Sequence, residues 1–201
     1  MEMDLFTVLG FVRPIPDHLK MHLQSLLKHE TIPKDGYILK AGQVSKRICF
    51  IKRGLLWAYY LKDGSQVASW FMNEGCFVVS ITSFYDQEIS KEFIQALEET
   101  EIEYVTFEEL EQAYLADHDF CYIGLKYTQR YLVEWDRRLH ALLATSAEER
   151  LGWLEANKKE LIQRVPAKLL ASYVDMSAVH YSKTKSYKNR PKPNAKMRRA
   201  S

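Results

Sequence analysis

Five glycines, Gly36, Gly42, Gly54, Gly64 and Gly75, stand 6, 12, 10 and 11 residues apart and cut the stretch 31–107 into short runs rich in Ile, Val, Phe, Tyr and Trp. The runs are "YIL", "RICFI", "LLWAYYL", "VASWFM", "FIQAL" and "IEYVTF". Glycine reaches the positive φ that tight turns demand, and turns at this spacing join short antiparallel strands. The clearest is "KDGS" at 62–65, with Asp63 and Gly64 at the tip of a hairpin. This stretch is therefore expected to close into a small antiparallel β-roll of the jelly-roll kind, giving an α+β chain once its flanks are added.

The flanks read as helix. Leu19, Leu23, Leu26 and Leu27 recur at helical spacing over 15–30, a short lead-in helix. Beyond residue 108 the helical period returns, and a helix over 119–144 would extend about 40 Å. "SAEE" at 146–149 fits a capping box, so one helix ends near Thr145 and another begins there. The long helix carries a stripe of Cys121, Leu125, Thr128, Leu132, Trp135, Leu139 and Leu142, alternating by four and three residues. That repeat lets two helices pack along their length, although the stripe could also lie on the chain's own roll. A helix of this length has more apolar stripe than a small roll covers, so a homodimer is expected. Three parts result: a β-roll domain over 1–118, a dimerisation helix over 119–145 and a helical domain over 146–201.

At 201 residues with 47% hydrophobic and 12% aromatic content, the chain can bury a sizeable core. It has no apolar run long enough to span a membrane and no basic leader, so a cytoplasmic protein without a membrane partner is expected. Cys49, Cys76 and Cys121 are far apart and odd in number; buried free thiols are the expected state. The net charge of +2 hides a polarity: 158–201 holds 12 Lys and Arg against two acids, a balance of +10 that leaves −8 for the remainder. A basic end on an acidic body suits contact with double-stranded DNA, where neutralised phosphates release counterions, and equally describes a solvated tail.

A lead-in helix, a glycine-punctuated roll, a long helix and a terminal pair of short helices, in that order, resemble the Crp/Fnr family of bacterial transcription regulators. The likeness rests on "PKDGYILKAGQVSKRICFIKRGLLWAYYLKDGSQVASWFMNEG" in the roll and "RVPAKLLASYVDMSAVHYSK" near the end. It implies a cyclic-nucleotide-binding-like sensor, a dimer, a helix-turn-helix of winged-helix type, and RNA polymerase as a further partner. Family members that bind cyclic nucleotide present a Gly-Glu pair and, ten residues after the Glu, an Arg that grips the phosphate. Here Val79 and Ser80 fall at the pair and Ser90 at the Arg. Lys91 is adjacent, but Glu88 and Glu92 flank it with the ligand's own sign of charge, so an effector other than cyclic AMP is expected. The oxygen-sensing branch needs a cysteine cluster near the amino terminus, and the first cysteine here is Cys49.

A pocket with different chemistry is expected from Trp57, Tyr59, Phe71, Phe77 and Phe84 of the roll, with Ser80, Ser90 and Lys91 nearby. Tyr131 and Trp135 of the long helix would complete it, linking an unknown small-molecule effector to the dimer seam. No cofactor is evident. In the helix-turn-helix, Leu169, Leu170, Ala171 and Tyr173 supply the first helix, Asp175 and Met176 the turn, and Ser177 caps the second. The family's reading positions are Ala178 and Val179 here, which form no base-edge hydrogen bond, although Val179 can touch a thymine methyl. Lys168, Ser177, His180, Ser182 and Lys183 are the remaining candidates for DNA contact. After Ser182 the apolar period fades, and Pro191 and Pro193 stop any helix.

Two rivals remain open. A cupin-type enzyme holds a metal with barrel histidines, and no His lies between Thr31 and Phe107; no nucleophile elbow or phosphate-cradling loop appears either. A non-enzymatic role is expected. The second rival is a homodimeric small-molecule-binding protein that has lost specific DNA binding.

Overall fold

Two β-sheets are stacked because the strands alternate which way their apolar side chains point. The structure, a computed structural model, describes residues 3–188 and divides into two units, Met1–Leu143 and Ala144–Ser201. The first unit holds eight strands: β1 Lys28–Ile32, β2 Tyr37–Leu39, β3 Arg47–Arg53, β4 Leu56–Lys62, β5 Ser65–Met72, β6 Phe77–Val78, β7 Phe93–Ala96 and β8 Thr100–Thr106. They form two antiparallel sheets, ordered β1-β8-β3-β6 and β2-β7-β4-β5. Apart from the β4–β5 hairpin, consecutive strands thus sit in different sheets, the crossing pattern of a jelly roll.

Cys49 and Ile51 of β3, Val78 and Ile102 meet Leu39, Leu56, Ala58, Met72, Ile94 and Ala96 of the facing sheet in one buried cluster. The alternate residues of β3, Ile48 and Phe50, belong to a second cluster on the other face. That cluster is helical: α1 Leu5–Gly10, α2 Asp17–Leu26, α3 Ile81–Tyr85, α4 Phe107–Ala116 and α5 His118–Ala144 contribute Leu5, Leu9, Leu19, Leu23, Phe84, Leu110, Phe120 and Ile123. Burial pushes the Cys49 thiol up to about 12, which makes it inert as a nucleophile.

Turn chemistry sets the register. Lys62 pairs with Ser65 across a two-residue tip in which Asp63 (φ 51°) and Gly64 (φ 75°) are both left-handed, the combination a type I′ hairpin requires. Gly54 has φ 114°, and a Cβ there would approach Thr100 Cα to 2.6 Å. At the turn before β2 the left-handed residue is Asp35 (φ 66°) and not Gly36, where instead a Cβ would press on the Pro33 carbonyl at 2.8 Å.

The second unit contains α6 Ala147–Asn157, α7 Lys159–Arg164, α8 Ala167–Tyr173 and α9 Ala178–Lys188. No strand occurs among its described residues, which makes it helical there. The Ser146 and Glu149 capping box forms as the sequence indicates, the Ser146 hydroxyl accepting from the Glu149 amide at 3.2 Å.

Two expectations are corrected and one helix is added. The lead-in helix stops at Leu26, and residues 28–30, read as its end, belong to β1, because pairing with β8 outweighs the weak helical signal of "KHETI". The added helix is α1, capped by the Asp4 carboxylate accepting from the Thr7 amide at 2.8 Å. Cys121, expected to be buried, is exposed on α5, and Cys76 is half-buried. Arg190, Pro191, Pro193 and the rest of the basic tail lie outside the described residues.

Gly54→Ala should destabilise the protein by roughly 2 kcal/mol or more, combining an unfavourable φ with the clash at Thr100, whereas Gly64→Ala at the open hairpin tip should cost about 1 kcal/mol. Urea unfolding of the two variants checks the order.

Candidate functional site

A cavity of about 400 Å³ lies in the first unit between the sheets and the helical layer. One wall is α5, whose residues Phe120 to Trp135 follow it for about 22 Å. Ile48, Phe50, Ala58, Met72 and Trp70 of the sheets supply most of the opposite wall, with Leu5, Leu9 and Leu23 at one end. Tyr131 holds the wall together: its hydroxyl donates to the Phe77 carbonyl at 2.7 Å and accepts from the Phe77 amide at 2.9 Å. Burial pushes this hydroxyl well above the ordinary tyrosine range, so it stays protonated and able to serve both bonds.

The charged residues lining the cavity are three carboxylates, Glu92, Glu103 and Glu109, with no Lys, Arg or His among them. Glu103 is paired with Lys52 at 3.3 Å and His29 at 3.5 Å, and Glu109 with Lys28 at 2.5 Å. Glu92 accepts hydroxyls instead, from Ser80 at 2.8 Å and Ser69 at 3.2 Å. Tyr60 also bonds it, and burial together with the adjacent carboxylate raises the Tyr60 hydroxyl above its usual range. Ser80 and Ser90 lie 3.2 Å apart, hydroxyl to hydroxyl, so the two positions assigned to phosphate recognition do meet in space. Here they meet over a carboxylate.

Of the pocket residues expected from the sequence, Phe77, Tyr131 and Trp135 line this cavity. Trp57, Tyr59 and Phe71 do not. They project from the opposite face of their sheet, as the two-residue strand period dictates once Leu56 and Ala58 face inward. There they stack, Trp57 on Tyr59 with centroids 4.2 Å apart and Tyr59 on Phe93 at 4.9 Å. Phe84 is fully buried in the helical core, edge-on to Phe107, and lies off the cavity. Ser80 and Ser90 are buried behind Glu92, while Lys91 is exposed and does not reach the lining.

Tyr60 shares a face of β4 with Ala58, and Trp70 a face of β5 with Met72, by the ordinary two-residue period; both were missed because the expected pocket took the face of Trp57, Tyr59 and Phe71. Glu92 was legible only as a neighbour of Lys91.

Along α5, Leu125 is 51% exposed, Leu132 67%, Trp135 40% and Leu139 50%; Thr128 is exposed as well. Leu142 departs from this row, being half-buried, and Leu143 carries the exposure at 79%. A straight helix of 3.6 residues per turn drifts from a strict seven-residue repeat, and by the last turn the stripe has moved on one residue. Thr128, Leu132 and Trp135 belong both to this stripe and to the cavity lining.

In the second unit the α8 and α9 helices are joined through Asp175, whose φ of 54° is left-handed, a conformation Asp tolerates. Val174 and Met176 on either side are buried. Arg150 fastens the turn, donating to the carbonyls of Val174 at 2.8 Å and Thr145 at 2.6 Å and reaching that of Asp175 at 3.4 Å. Ser177 caps α9, its hydroxyl accepting from the His180 amide at 3.1 Å. Tyr181 is buried at 2% and anchors α9, leaving Ala178, Val179, His180, Ser182 and Lys183 exposed, with Lys168 exposed on α8.

A jelly roll bordered by a long helix and followed in the chain by a helix-turn-helix is the fold of the Crp/Fnr regulators. Among solved structures, the chain is similar to FixK2 from Bradyrhizobium japonicum (TM-score 0.67, 17% identity, covering 80% of this chain and 83% of that one). It is similar also to the c-di-GMP-responsive global regulator CLP of Xanthomonas campestris (TM-score 0.68, 14% identity, 86% and 91%). A third is the catabolite activator protein of Thermus thermophilus (TM-score 0.56, 16% identity, 92% and 91%). No protein-family model matches the sequence, and no curated protein matches it. Among the described residues no cluster of three metal-ligating side chains occurs, and no helix is long and apolar enough to cross a membrane.

Arg150→Met should destabilise the second unit by about 2 to 3 kcal/mol, since three carbonyls around the turn lose a charged donor. Arg150→Lys should recover only part of this, a single ammonium being unable to span all three. Unfolding followed by Trp153 fluorescence measures both.

Proposed function

We propose that the chain is a ligand-responsive, DNA-binding transcription regulator that acts in the cytoplasm as a homodimer, with an effector other than cyclic AMP. The observation that carries this reading is the α8–α9 helix-turn-helix, capped and locked by Ser177 and Arg150, which presents His180, Ser182 and Lys183 on its open face. Two copies paired along α5 would present two such helices, suiting half-sites about 34 Å apart. Lys168 and Lys183 would contact phosphate, and Ser177, Val179, His180 and Ser182 the groove. RNA polymerase is the natural further partner of such a regulator.

Rejection of cyclic AMP is supported by the carboxylate beside Ser80 and Ser90. Phosphate recognition needs a charged fork or converging amides, and Glu92 offers the opposite charge. Coupling would run through α5, which lines the cavity with Tyr131 and Trp135, exposes the pairing stripe, and continues in sequence into α6 after Thr145 and Ser146. The second reading, a ligand-binding dimer without specific DNA recognition, is favoured by Ala178 and Val179 at the start of α9, where Val179 is 64% exposed and carries no hydrogen-bonding group.

Salt dependence decides between them. On duplex fragments of its own genome the protein should bind with an affinity that falls steeply with salt, and Lys183→Ala should reduce the slope by about one unit across all sequences. Absence of salt-sensitive binding to every fragment, with and without cell extract as effector source, would favour the second reading.

Replacing Leu132 and Leu139 together with Glu should convert the dimer to a folded monomer in sedimentation, because like charges would face one another in the seam. A double variant that stays dimeric at micromolar concentration would place the interface elsewhere.

A further inference from the structure

We propose that the cavity of the first unit takes an organic ammonium ion, with an apolar or aromatic body and an N–H cation hydrogen-bonded to the Glu92 carboxylate. The inference rests on the sensor reading above in taking the cavity as a ligand site, and adds the chemical class of the ligand.

The charge balance of the wall carries the argument. Glu103 and Glu109 are paired with Lys52 and Lys28, and the His29 ring lies 3.5 Å from Glu103. Among the described residues Glu92 makes no ion pair; its partners, Ser69, Ser80 and Tyr60, are hydroxyls, which hydrogen-bond the carboxylate without bringing a positive charge. A ligand that brings an N–H cation to this half-buried carboxylate forms the charge-assisted bond that the hydroxyls do not. Among the described residues no Lys, Arg or His lines the cavity to serve that purpose from within.

The surroundings suit the same ligand. Trp70 and Trp135 both line the cavity with ring centroids 6.0 Å apart, and Tyr60 and Tyr131 line it as well. Ring faces attract cations, as the Arg138 guanidinium 5.8 Å from the Trp70 ring centre already shows, which leaves Trp135, Tyr60 and Tyr131 to the ligand; the neighbouring Leu132 and Met72 accept an apolar body. A volume of about 400 Å³ accommodates a bicyclic amine. An anionic ligand would meet the Glu92 carboxylate and, among the described lining residues, no basic side chain.

The test uses three probes of nearly equal shape on the full chain: tryptamine, its neutral alcohol tryptophol, and the anion indole-3-propionate. Calorimetry near neutral pH should show tryptamine binding at least about tenfold more tightly than tryptophol, with indole-3-propionate weakest. Glu92→Gln should abolish the preference for tryptamine over tryptophol while leaving tryptophol binding within about twofold. Equal affinities for the three probes, a preference for the anion, or no saturable tryptamine binding up to millimolar concentration would overturn the proposal, and the wild-type series decides this even if the variant fails to fold. The same preparation is assayed for salt-sensitive DNA binding. Loss of the amine preference with DNA binding intact refutes only the ligand class, whereas amine binding without DNA binding refutes only the regulator.

Discussion

Everything in the first unit is arranged around a central strand buried on both faces. In β3, Cys49 and Ile51 face the second sheet while Ile48 and Phe50 face the helices. A strand with no solvent face obliges the chain to supply two layers, one of strands and one of helices, and the lead-in and trailing helices meet the second demand. The helical cover does not seat tightly against β3 along its whole length. The space left between Phe50 and Ile48 on one side and Phe120, Ile123 and Tyr127 on the other is the cavity. The cavity is thus a consequence of how the roll is covered.

The glycine spacing made the roll legible, because turns are local and their chemistry is written in two or three residues. Each of the six apolar runs lies on a strand to within one residue at its end. The short strand β1 was hidden since its residues, Lys28 to Ile32, carry little strand propensity and owe their conformation to pairing with β8, some seventy residues away. Facing was harder than existence. Reading β4 as a regular strand puts Trp57 and Tyr59 on one face and Ala58 and Tyr60 on the other, correctly, but alternation alone does not say which of the two faces borders the cavity.

Charge was legible in part. That serines stand where the resemblance puts a Glu and an Arg follows from setting the sequence against the family's pattern, and the structure shows Ser80 and Ser90 in mutual contact. What spacing does not convey is which of the neighbouring charges turns inward. Lys91 and Glu92 are adjacent, so in an extended segment they point to opposite sides, and it is the carboxylate that joins the buried hydroxyls while the ammonium stays in water. Exchanging the two would have produced an anion site from almost the same composition.

The link from cavity to stripe rests on Tyr131. Its hydroxyl bonds both the amide and the carbonyl of Phe77, so β6 and α5 are joined by two hydrogen bonds to one residue. The segment after β6 continues through Val79 and Ser80 into α3, and Ser80 is bonded to Glu92. A displacement at Glu92 therefore reaches Ser80 directly and Phe77 through three residues of backbone. It then must either carry Tyr131 with it or break two buried hydrogen bonds, at a cost of roughly 1 to 3 kcal/mol. Tyr131 precedes Leu132, the centre of the exposed stripe, at 67% exposure. A helix transmits rotation along its length because its backbone bonds resist twisting, so movement of Tyr131 turns Leu132, Trp135 and Leu139 together. The arrangement couples a carboxylate in the cavity wall to the apolar face of α5 through one hydroxyl, with no need for a continuous chain of charged groups between them.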